Sequence, residues 1–271
     1  MHEHGQRSEM VRYAHLVYRK GWVANHDGNL SVRVSANRFL ATPTAFSKGV
    51  VDRDHLLVVD GEGQRVAGQT RIFSEIGLHL AVFRVRADVG AVVHAHPPYA
   101  TGMACAGVGL ETPFMPEAVV SLGPVVPLVP FAAPGGAAAA RLNDYTPYFD
   151  AVMLESHGVL AWGRDLEEAF LRLELVEHLA QMATHAQAWG GVKALSNEVL
   201  GPLLAARRKA GLGPEARGLS SPPGLRRVAA GGESGAERCA SHTEVKAEIG
   251  VGRDDLARVI VEELRALVPV K

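Results

Sequence analysis

Three histidines in two separate segments have the types and spacing best suited to chemistry. His94 and His96 stand two residues apart at the end of an apolar run, and His157 lies between two other β-like runs. Residues two apart in a strand point to the same face, so this pair can present two imidazoles to one ion. A third neutral imidazole completes a set of three nitrogens and leaves positions open for a substrate, as catalytic zinc requires. The spacing therefore predicts a divalent metal site, with zinc favoured.

The alternative interpretation of this trio is that each histidine is a core residue satisfied by ordinary hydrogen bonds. That interpretation would be preferred for one isolated histidine, because histidine is only intermediate in its preference for burial. Three imidazoles beside a strand rich in alanine and valine are costly to bury without partners. The trio therefore favours the metal site, and Gly158 is expected to permit a tight turn after His157.

A carboxylate opens a predicted helix at Ser74–Glu75, and His79 follows Glu75 by four residues on the same helical face. Taken alone, this carboxylate is explained by the favourable interaction of a negative charge with a helix N-terminus. His79 could orient Glu75 or the metal, and we expect it to support the site from behind or to pack in the core.

Three further segments carry groups that suit an anion. Gly28–Asn29 precedes a predicted strand, residues 42–44 follow one, and Ser74 precedes a helix. Backbone N–H groups, hydroxyls and a side-chain amide are the groups that bind a phosphate. Each segment taken alone is explained equally well by ordinary turn residues, and Ser47 and Lys48 are weaker candidates for closing the pocket.

The elements that must position these groups alternate between strands and helices. Two-residue periodicity and short apolar runs predict strands over residues 29–34, 38–42, 56–59, 64–67, 90–96, 151–154 and 158–162. Helical periodicity predicts helices over residues 9–20, 74–84, 101–106 and 137–142, and another that begins after Asp165. Glu168 stands three residues after Asp165, as in a capping box. Strands interleaved with helices make the main domain α/β or α+β, whereas residues 107–136 are rich in Pro and Gly with short extended pieces.

Composition is typical of a globular protein of the cytoplasm. The 271 residues suffice for a packed core, and a formal net charge of −1 gives no reason to expect a nucleic-acid or membrane partner. Two unpatterned cysteines argue against a disulfide framework. The first ten residues lack the apolar segment of a signal peptide, and no apolar run has the length needed to span a bilayer.

A change in composition after residue 204 predicts three parts of the chain. Residues 1–204 form the catalytic domain, and residues 205–250 are predicted to be a linker of low order because they are dense in Gly, Ala, Pro, Ser, Arg and Lys. Residues 251–271 contain a predicted amphipathic helix, over residues 254–268, whose apolar side chains form one stripe.

In their order and spacing, these motifs resemble those of the class II aldolase/adducin family. The matching stretches are residues 28–33, 42–44, 74–79, 86–97 and 156–159, and the resemblance extends from about residue 8 to residue 190. It implies an α/β fold of three layers, αβα, around a largely antiparallel central sheet. It also implies a homotetramer with sites near the subunit interfaces.

The resemblance assigns roles to the residues singled out above. It implies that His94, His96 and His157 hold Zn²⁺, or another divalent ion such as Mn²⁺ or Co²⁺. It implies that Glu75 is a further metal ligand in the free site and the acid and base during turnover. Phosphate contacts are implied for four residues: Gly28, Asn29, Thr44 and Ser74.

The reaction that the resemblance implies is cleavage of a ketose 1-phosphate, such as L-fuculose 1-phosphate, to dihydroxyacetone phosphate and a small aldehyde such as lactaldehyde. The C2 carbonyl and C3 hydroxyl oxygens of the substrate would chelate the metal, which would stabilise the resulting enediolate as a Lewis acid. Glu75 would deliver a proton to C3. The expected partner is therefore a small phosphorylated sugar.

Other functions are compatible with the same motifs. A pentulose-phosphate 4-epimerase or a decarboxylase of the same fold would use the same enediolate chemistry, although the epimerases usually carry aspartate at the position of Glu75. A non-catalytic adducin-like binding protein is less favoured, because all three histidines and Glu75 are present.

The chain departs from the aldolase pattern at three places. Phe73–Ser74 replaces the usual pair of serines, and Thr44–Ala45 replaces the usual Thr-Gly. Residues 114–117 offer no counterpart of the tyrosine that protonates the leaving aldehyde. Phe73 therefore favours a non-phosphorylated or aromatic substrate, and Glu117 is the candidate to replace the tyrosine.

Two hypotheses remain open for the C-terminal helix. It docks on its own tetramer, or it acts as an encapsulation peptide, since it resembles the peptides that direct cargo enzymes into bacterial microcompartments. In the second case a microcompartment shell protein would bind the apolar stripe in a groove, and the enzyme would reside inside that compartment.

Overall fold

The structure, a computed structural model, describes residues 3–132 and 136–220 of the chain. The strands in chain order are β1 (Asn29–Ser35), β2 (Arg38–Ala41), β3 (Leu57–Val59), β4 (Arg65–Ala67), β5 (Ala91–Ala95), β6 (Leu128–Val129), β7 (Ala151–Leu154) and β8 (Gly158–Gly163). The helices are α1 (Glu3–Arg19), α2 (Ile76–Val85), α3 (Pro98–Cys105), α4 (Pro116–Ser121), α5 (Gly136–Leu142), α6 (Leu166–Ala186) and α7 (Asn197–Lys209). Short 3₁₀ turns follow α6 and α7, at Gln187–Trp189 and Glu215–Arg217.

One sheet contains these eight strands, in the order β4-β3-β2-β1-β5-β8-β7-β6. Neighbouring strands are antiparallel except β6 and β7, which are parallel. Helices α1, α3 and α6 pack on one face of the sheet, and α2 and α5 pack on the other. The prediction of an α/β fold with three layers around a largely antiparallel sheet is confirmed.

Strand β5 runs through the centre of the sheet and is buried along its whole length. A strand that is covered by helices on both faces consists almost entirely of apolar residues, and β5 fits this pattern apart from His94. Val93 belongs to the core on the α6 side, whereas Val92 belongs to the core on the α2 side. Because side chains alternate along a strand, His94 shares the face of Val92 and points toward the α2 layer.

Each strand predicted from periodicity lies within one residue of its predicted bounds. The cap of α6 is also present, since a carboxylate oxygen of Asp165 accepts a hydrogen bond from the backbone N–H of Glu168 at 2.8 Å. The Glu168 carboxylate reaches back to the backbone N–H of Arg164 rather than to that of Asp165. Within the described ranges, no helix has the length and apolar character needed to cross a membrane.

Two helices were missing from the sequence-based prediction. Helix α4 lies in the Pro- and Gly-rich segment, where Pro116 occupies the first helical position that proline favours. Helix α7 runs to Lys209, so the prediction that a linker of low order begins at residue 205 is wrong. Residues 221–250 of the predicted linker and the predicted helix of residues 251–271 lie outside the described residues.

The reason for this error is that α7 is held by buried charges rather than by an apolar stripe. Arg207 is buried and lies 2.8 Å from the carboxylate of Asp150, which is also buried. The same guanidinium donates to the carbonyl oxygens of Val120 and Ser121 at the end of α4. A search for hydrophobic periodicity cannot detect such an anchor.

Candidate metal centre

The three predicted histidines come together at the end of β5. His94 lies within β5, His96 follows its last residue, and His157 lies in the turn that joins β7 to β8. Their ligand nitrogens lie within 4.8 Å of one another, and the Nε2 atoms of His94 and His96 are 3.1 Å apart. His94 is fully buried, whereas His96 and His157 are partly exposed. One ion could therefore contact all three rings and remain open to a ligand on the exposed side.

The turn that carries His157 depends on two small residues. Ser156 adopts the left-handed region, with φ of 55°, so the positive φ of the turn lies at Ser156 rather than at Gly158, which was expected to permit the turn. Gly158 is required for space instead. A Cβ at this position would lie 2.6 Å from the carbonyl oxygen of Ala95 and 2.6 Å from Cδ2 of His96.

Hydrogen bonds and nearby charges orient the imidazole rings. The Nδ1 atom of His94 lies 2.9 Å from the carbonyl oxygen of Val159, which can only accept, so Nδ1 donates and Nε2 keeps its lone pair. The Nδ1 atom of His96 lies 3.7 Å from a carboxylate oxygen of Asp27. Burial lowers the pKa of His94 to about 3 and also lowers the pKa of His96. Both rings therefore favour the neutral form that binds a metal ion.

Glu75 completes the cluster from the N-terminus of α2. One carboxylate oxygen lies 2.7 Å from Nε2 of His157, and the other lies 3.6 Å from Nε2 of His94. Burial opposes the charge on this carboxylate, but the hydrogen bond with His157 and the electrostatic influence of His94 hold its pKa well below its usual range. A charged carboxylate facing three imidazoles is a donor set that suits zinc, and the residues present fit a divalent ion.

Asn29 was predicted to contact phosphate, and the structure places its side chain behind Glu75. Its Nδ2 atom donates to a carboxylate oxygen of Glu75 at 2.8 Å, and its Oδ1 atom lies 2.7 Å from Nε2 of His79. The Nδ1 atom of His79 in turn lies 2.7 Å from the hydroxyl oxygen of Ser31. The expected supporting position of His79 is therefore observed, with Asn29 between it and Glu75.

The other predicted phosphate contacts occupy separate places around the centre. Ser74 lines a cavity beside Glu75. Gly28 has φ of +70°, and a Cβ there would lie 3.1 Å from the carbonyl oxygen of His94, so the close approach of two backbones also requires this glycine. The backbone N–H of Thr44 donates to the carbonyl oxygen of Arg71, which leaves the hydroxyl of Thr44 as its group for a ligand.

The cavity beside Glu75 and His157 has a volume of about 230 Å³. Its polar wall includes Ser74, Glu155 and Ser156, and its apolar wall includes Leu78, Val129, Phe131, Ala138 and Leu154. This apolar wall could not be predicted from the sequence, because Val129 and Phe131 come from a segment without periodicity.

Two residues singled out in the sequence lie away from this cavity in the described chain. Glu117, the candidate to replace the missing tyrosine, is exposed on α4 and does not line the cavity. Phe73 is buried, and its ring centroid lies 5.1 Å from that of His79. Phe73 is therefore a core residue that packs behind the centre, and its expected preference for a non-phosphorylated or aromatic substrate stays a prediction.

Comparison with known proteins places this arrangement in a family. The sequence model of the Class II Aldolase and Adducin N-terminal domain matches residues 8–184. The chain belongs to the class II aldolase/adducin family. The family predicted from the motifs is thus confirmed. The family match spans every residue of the candidate metal centre.

Curated relatives of the chain include two kinds of lyase. The 3-oxo-tetronate 4-phosphate decarboxylase of Escherichia coli K12 is 33% identical over 186 residues, which cover 66% of this chain and 86% of the relative. The L-fuculose phosphate aldolase of Methanococcus maripaludis C7 is 29% identical over 174 residues, which cover 64% of this chain and 92% of the relative.

Solved structures agree with the fold. An L-fuculose 1-phosphate aldolase superposes with a TM-score of 0.69 at 25% identity, covering 76% of this chain and 97% of that one. YgbL of Escherichia coli superposes with a TM-score of 0.67 at 29% identity, covering 73% of this chain and 97% of that one. Class II aldolases typically depend on a divalent metal, and this chain carries a cluster able to hold one.

Proposed function

We propose that the chain is a metal-dependent lyase that breaks a carbon–carbon bond next to the carbonyl group of a small phosphorylated substrate. The observation that carries this proposal is the position of Glu75. Its carboxylate lies 2.7 Å from Nε2 of His157 and borders the cavity. A group that can move a proton at carbon therefore stands beside the nitrogens that would hold the ion.

His94, His96 and His157 would hold the ion, and Glu75 would be a further ligand when no substrate is present. When bound, Zn²⁺, Mn²⁺ or Co²⁺ would supply a Lewis acid that withdraws electron density from the substrate's oxygens. Bond cleavage leaves an electron pair on the carbon next to the carbonyl group. Glu75 is charged in the free site, so it would take up a proton from water once the substrate displaces it from the ion, and would then deliver that proton to this carbon.

Two leaving fragments are compatible with this chemistry. A 3-oxo acid with a hydroxyl on C2 and a phosphate on C4 loses CO₂ and leaves the enediolate of dihydroxyacetone phosphate. Aldol cleavage of a ketose 1-phosphate such as L-fuculose 1-phosphate leaves the same enediolate and releases an aldehyde such as lactaldehyde. The two kinds of relative therefore need the same catalytic centre and differ in the fragment that departs.

Decarboxylation is the candidate that we favour. It requires one proton transfer, to carbon, whereas aldol cleavage also requires a group that removes the proton from the hydroxyl that becomes the aldehyde. Glu155 also borders the cavity, but its carboxylate already accepts a hydrogen bond from the backbone N–H of Phe131 at 2.6 Å. The apolar wall also suits the departure of uncharged CO₂, because a carboxylate is disfavoured beside apolar groups.

Aldol cleavage is the second candidate, and the same apolar wall supports it. Val129, Phe131 and Leu154 would accommodate the methyl group of lactaldehyde. For either substrate, we propose that the phosphate is bound by the hydroxyls of Thr44 and Ser74, the backbone near Gly28 and the second amide N–H of Asn29. A 4-epimerase is less favoured, because it would have to retain both fragments of its substrate.

The test is a substrate panel with the purified chain loaded with Zn²⁺, Mn²⁺ or Co²⁺. The panel contains 3-oxo-tetronate 4-phosphate, L-fuculose 1-phosphate and L-ribulose 5-phosphate. Dihydroxyacetone phosphate is measured by coupled reduction, CO₂ by trapping, and epimers by chromatography. Release of dihydroxyacetone phosphate together with CO₂ supports the decarboxylase, and its release with an aldehyde supports the aldolase. No metal-dependent product from any substrate would overturn the proposal.

The predicted homotetramer and the predicted role of residues 251–271 are separate proposals. A tetramer would place another subunit near the partly exposed side of the centre, and light scattering of the full chain tests it. Removal of residues 251–271 tests the encapsulation hypothesis. Loss of co-sedimentation with microcompartment shell proteins would support that role, and unchanged co-sedimentation would exclude it.

A further inference from the structure

A line of three hydrogen bonds runs from the interior of the sheet to Glu75. The hydroxyl of Ser31 lies 2.7 Å from Nδ1 of His79, and Nε2 of His79 lies 2.7 Å from Oδ1 of Asn29. The amide Nδ2 of Asn29 lies 2.8 Å from a carboxylate oxygen of Glu75. Ser31, His79 and Asn29 are all buried. The carboxylate at the centre is therefore connected to the core by side chains shielded from water.

The chemistry of these groups fixes the direction of each bond. The carboxylate of Glu75 can only accept, so the N–H group of Asn29 faces Glu75 and the carbonyl oxygen of Asn29 faces His79. That carbonyl oxygen can also only accept, so Nε2 of His79 carries a proton and donates the hydrogen bond. A neutral ring with a proton on Nε2 has a lone pair on Nδ1, and the hydroxyl of Ser31 therefore donates to Nδ1. Complete burial lowers the pKa of His79 to about 3, in agreement with a neutral ring.

Two elements of secondary structure hold the members of this line in register. Asn29 and Ser31 stand two apart on β1 and point to the same face of the sheet. Glu75 and His79 stand four apart at the start of α2 and lie on the same side of that helix. The side chains of one strand therefore alternate with those of one helix along the line.

The orientation of the Asn29 amide determines whether Asn29 attracts or repels the carboxylate of Glu75. An amide can present either its N–H group or its carbonyl oxygen to a neighbour. If the Asn29 amide were reversed, two oxygens would face each other at a distance of 2.8 Å, and the Glu75 carboxylate would be repelled. Because Nε2 of His79 donates, the carbonyl oxygen of Asn29 stays on the side of His79.

We infer that His79 is a positioning residue for Glu75, with Asn29 transmitting its orientation and Ser31 holding the ring in place through the hydrogen bond that it donates to Nδ1. The inference rests on the proposed role of Glu75 as the group that moves the proton. The ring of Phe73 packs against His79, so the presence of phenylalanine at this position also helps to fix the ring. Glu75 is thereby held near His157 before a substrate binds.

The first test compares two variants that preserve different parts of the histidine ring. His79→Gln keeps an N–H near the place of Nε2 and can still donate to Asn29, whereas His79→Asn reaches only toward Ser31. We expect His79→Asn to lower kcat about ten- to a hundred-fold, the usual range for groups that orient a metal site, with little change in KM. His79→Gln is expected to recover most of kcat.

Ser31→Ala is the second variant, because it removes one hydroxyl three bonds away from Glu75. Its matched control is Thr146→Val, which removes another buried hydroxyl that bonds to the carbonyl oxygen of Leu142 at 2.9 Å, away from the centre. We expect Ser31→Ala to lower kcat and Thr146→Val to leave it unchanged. Equal effects of Ser31→Ala and Thr146→Val on kcat would overturn the positioning role. If His79→Asn does not fold, Ser31→Ala and its control still decide the question.

A second measurement does not depend on activity. In metal-free protein labelled with ¹⁵N-histidine, the signals of His79 are assigned by their loss in His79→Gln. We expect a neutral ring protonated on Nε2, and in Ser31→Ala the same tautomer with a shifted Nδ1 signal, because that nitrogen loses its hydrogen bond. A ring protonated on Nδ1 in the unchanged protein would overturn the inference whatever the reaction is. The expected tautomer in a protein that converts no substrate would instead reject the proposed function and retain the hydrogen-bonded line.

Discussion

At the scale of single residues, Glu75 is the side chain on which the proposed chemistry depends. Glu75→Gln keeps the size of the side chain and removes its ability to exchange a proton. General acid and base groups typically contribute 10²–10⁴-fold to a rate, so we expect kcat to fall at least about a hundred-fold. The measurement is steady-state turnover of the substrate identified in the panel, with the metal content of each preparation determined.

The control for this variant is Glu174→Gln, which changes a partly exposed carboxylate paired with Lys20. Surface ion pairs of this kind contribute little to stability, so the control should keep its full activity. Retention of more than a tenth of kcat in Glu75→Gln would show that another group moves the proton.

Ala45 is a residue whose backbone conformation conflicts with its side chain. Its φ of 61° lies in the left-handed region, which costs a residue with a Cβ about 1–2 kcal/mol. Ala45→Gly relieves this strain, but the greater conformational entropy of glycine stabilises the unfolded chain by about 0.4–1 kcal/mol. We therefore expect a gain of up to about 1.6 kcal/mol in the free energy of unfolding, measured by urea denaturation.

Ala205→Gly provides the matched comparison for this change. Ala205 is exposed in the interior of α7, where the same substitution should cost about 1 kcal/mol. Opposite signs for the two variants would confirm that Ala45 is strained. A loss of stability in both variants would contradict that interpretation.

The metal ligands were predictable from the sequence to different degrees. Alternation along a strand is a local rule, so the shared direction of His94 and His96 follows from their spacing alone. His157 was the best third candidate because it lies between two predicted strands, but sequence alone does not show that this turn meets the end of β5. The partners of Asn29 could not be predicted, since they depend on how α2 packs on β1.

At the scale of elements, the contact between the β7–β8 turn and β5 determines the distance between the imidazoles. Gly158→Ala would place a Cβ 2.6 Å from the carbonyl oxygen of Ala95 and would push the turn that carries His157 away from His96. We expect metal affinity to fall about ten- to a hundred-fold, measured by competition with a chelator.

Gly102→Ala is the control for this steric argument. No heavy atom lies within 4 Å of a Cβ built at Gly102 in α3, and alanine favours helices. This variant should therefore keep its metal affinity. Equal affinities for Gly158→Ala and the unchanged protein would show that the turn can adjust to the added atom.

The attachment of α7 through Arg207 is a second feature at this scale. Arg207→Met leaves the buried carboxylate of Asp150 with fewer partners, and breaking a buried ion pair from one side typically costs about 3–5 kcal/mol. Because Arg86 still lies 3.0 Å from Asp150, we expect the lower end of this range. Urea denaturation measures the loss, and hydrogen exchange locates it in α7.

Arg208→Met is the control for this prediction, because Arg208 is exposed on the same helix. It should change the free energy of unfolding by less than about 0.5 kcal/mol. If Arg207→Met and Arg208→Met have the same small effect, the buried charges do not anchor α7.

At the scale of the whole molecule, the mixed helix and strand architecture was predictable from the sequence and the three layers from the family resemblance, but the order of strands was not. Strands covered on both faces have apolar runs, and strands that alternate with helices favour a layered α/β fold. The bounds of α7 and the core that surrounds Asp150 could not be predicted, because charge pairing has no period. The apolar wall of the cavity could not be predicted either, because β6 has only two residues and is too short to show a periodic pattern.

Lys48 connects the loop before β1 with the loop after β2 and makes the stability of the molecule depend on pH. Its side chain is buried, and Nζ donates to the carbonyl oxygens of His26 and Phe46. Burial lowers its pKa to about 8, whereas an unfolded lysine has a pKa of about 10.4. Between these values the unfolded chain binds more protons than the folded chain, so the contribution of Lys48 to stability rises with pH.

The difference in unfolding free energy between Lys48→Met and the unchanged protein isolates this contribution, because other titrating groups are common to both. Below about pH 8 the folded protein bears the whole free-energy cost of burying the charged ammonium group. This cost decreases as the pH rises toward 10, because the buried lysine loses its proton. We expect the unchanged protein to gain up to about 3 kcal/mol relative to Lys48→Met over that interval. Lys20→Met, which alters a partly exposed lysine, should show no such dependence. A difference that is the same at pH 7 and pH 10 would mean that Lys48 stays charged in the fold and that its carbonyl partners compensate for burial.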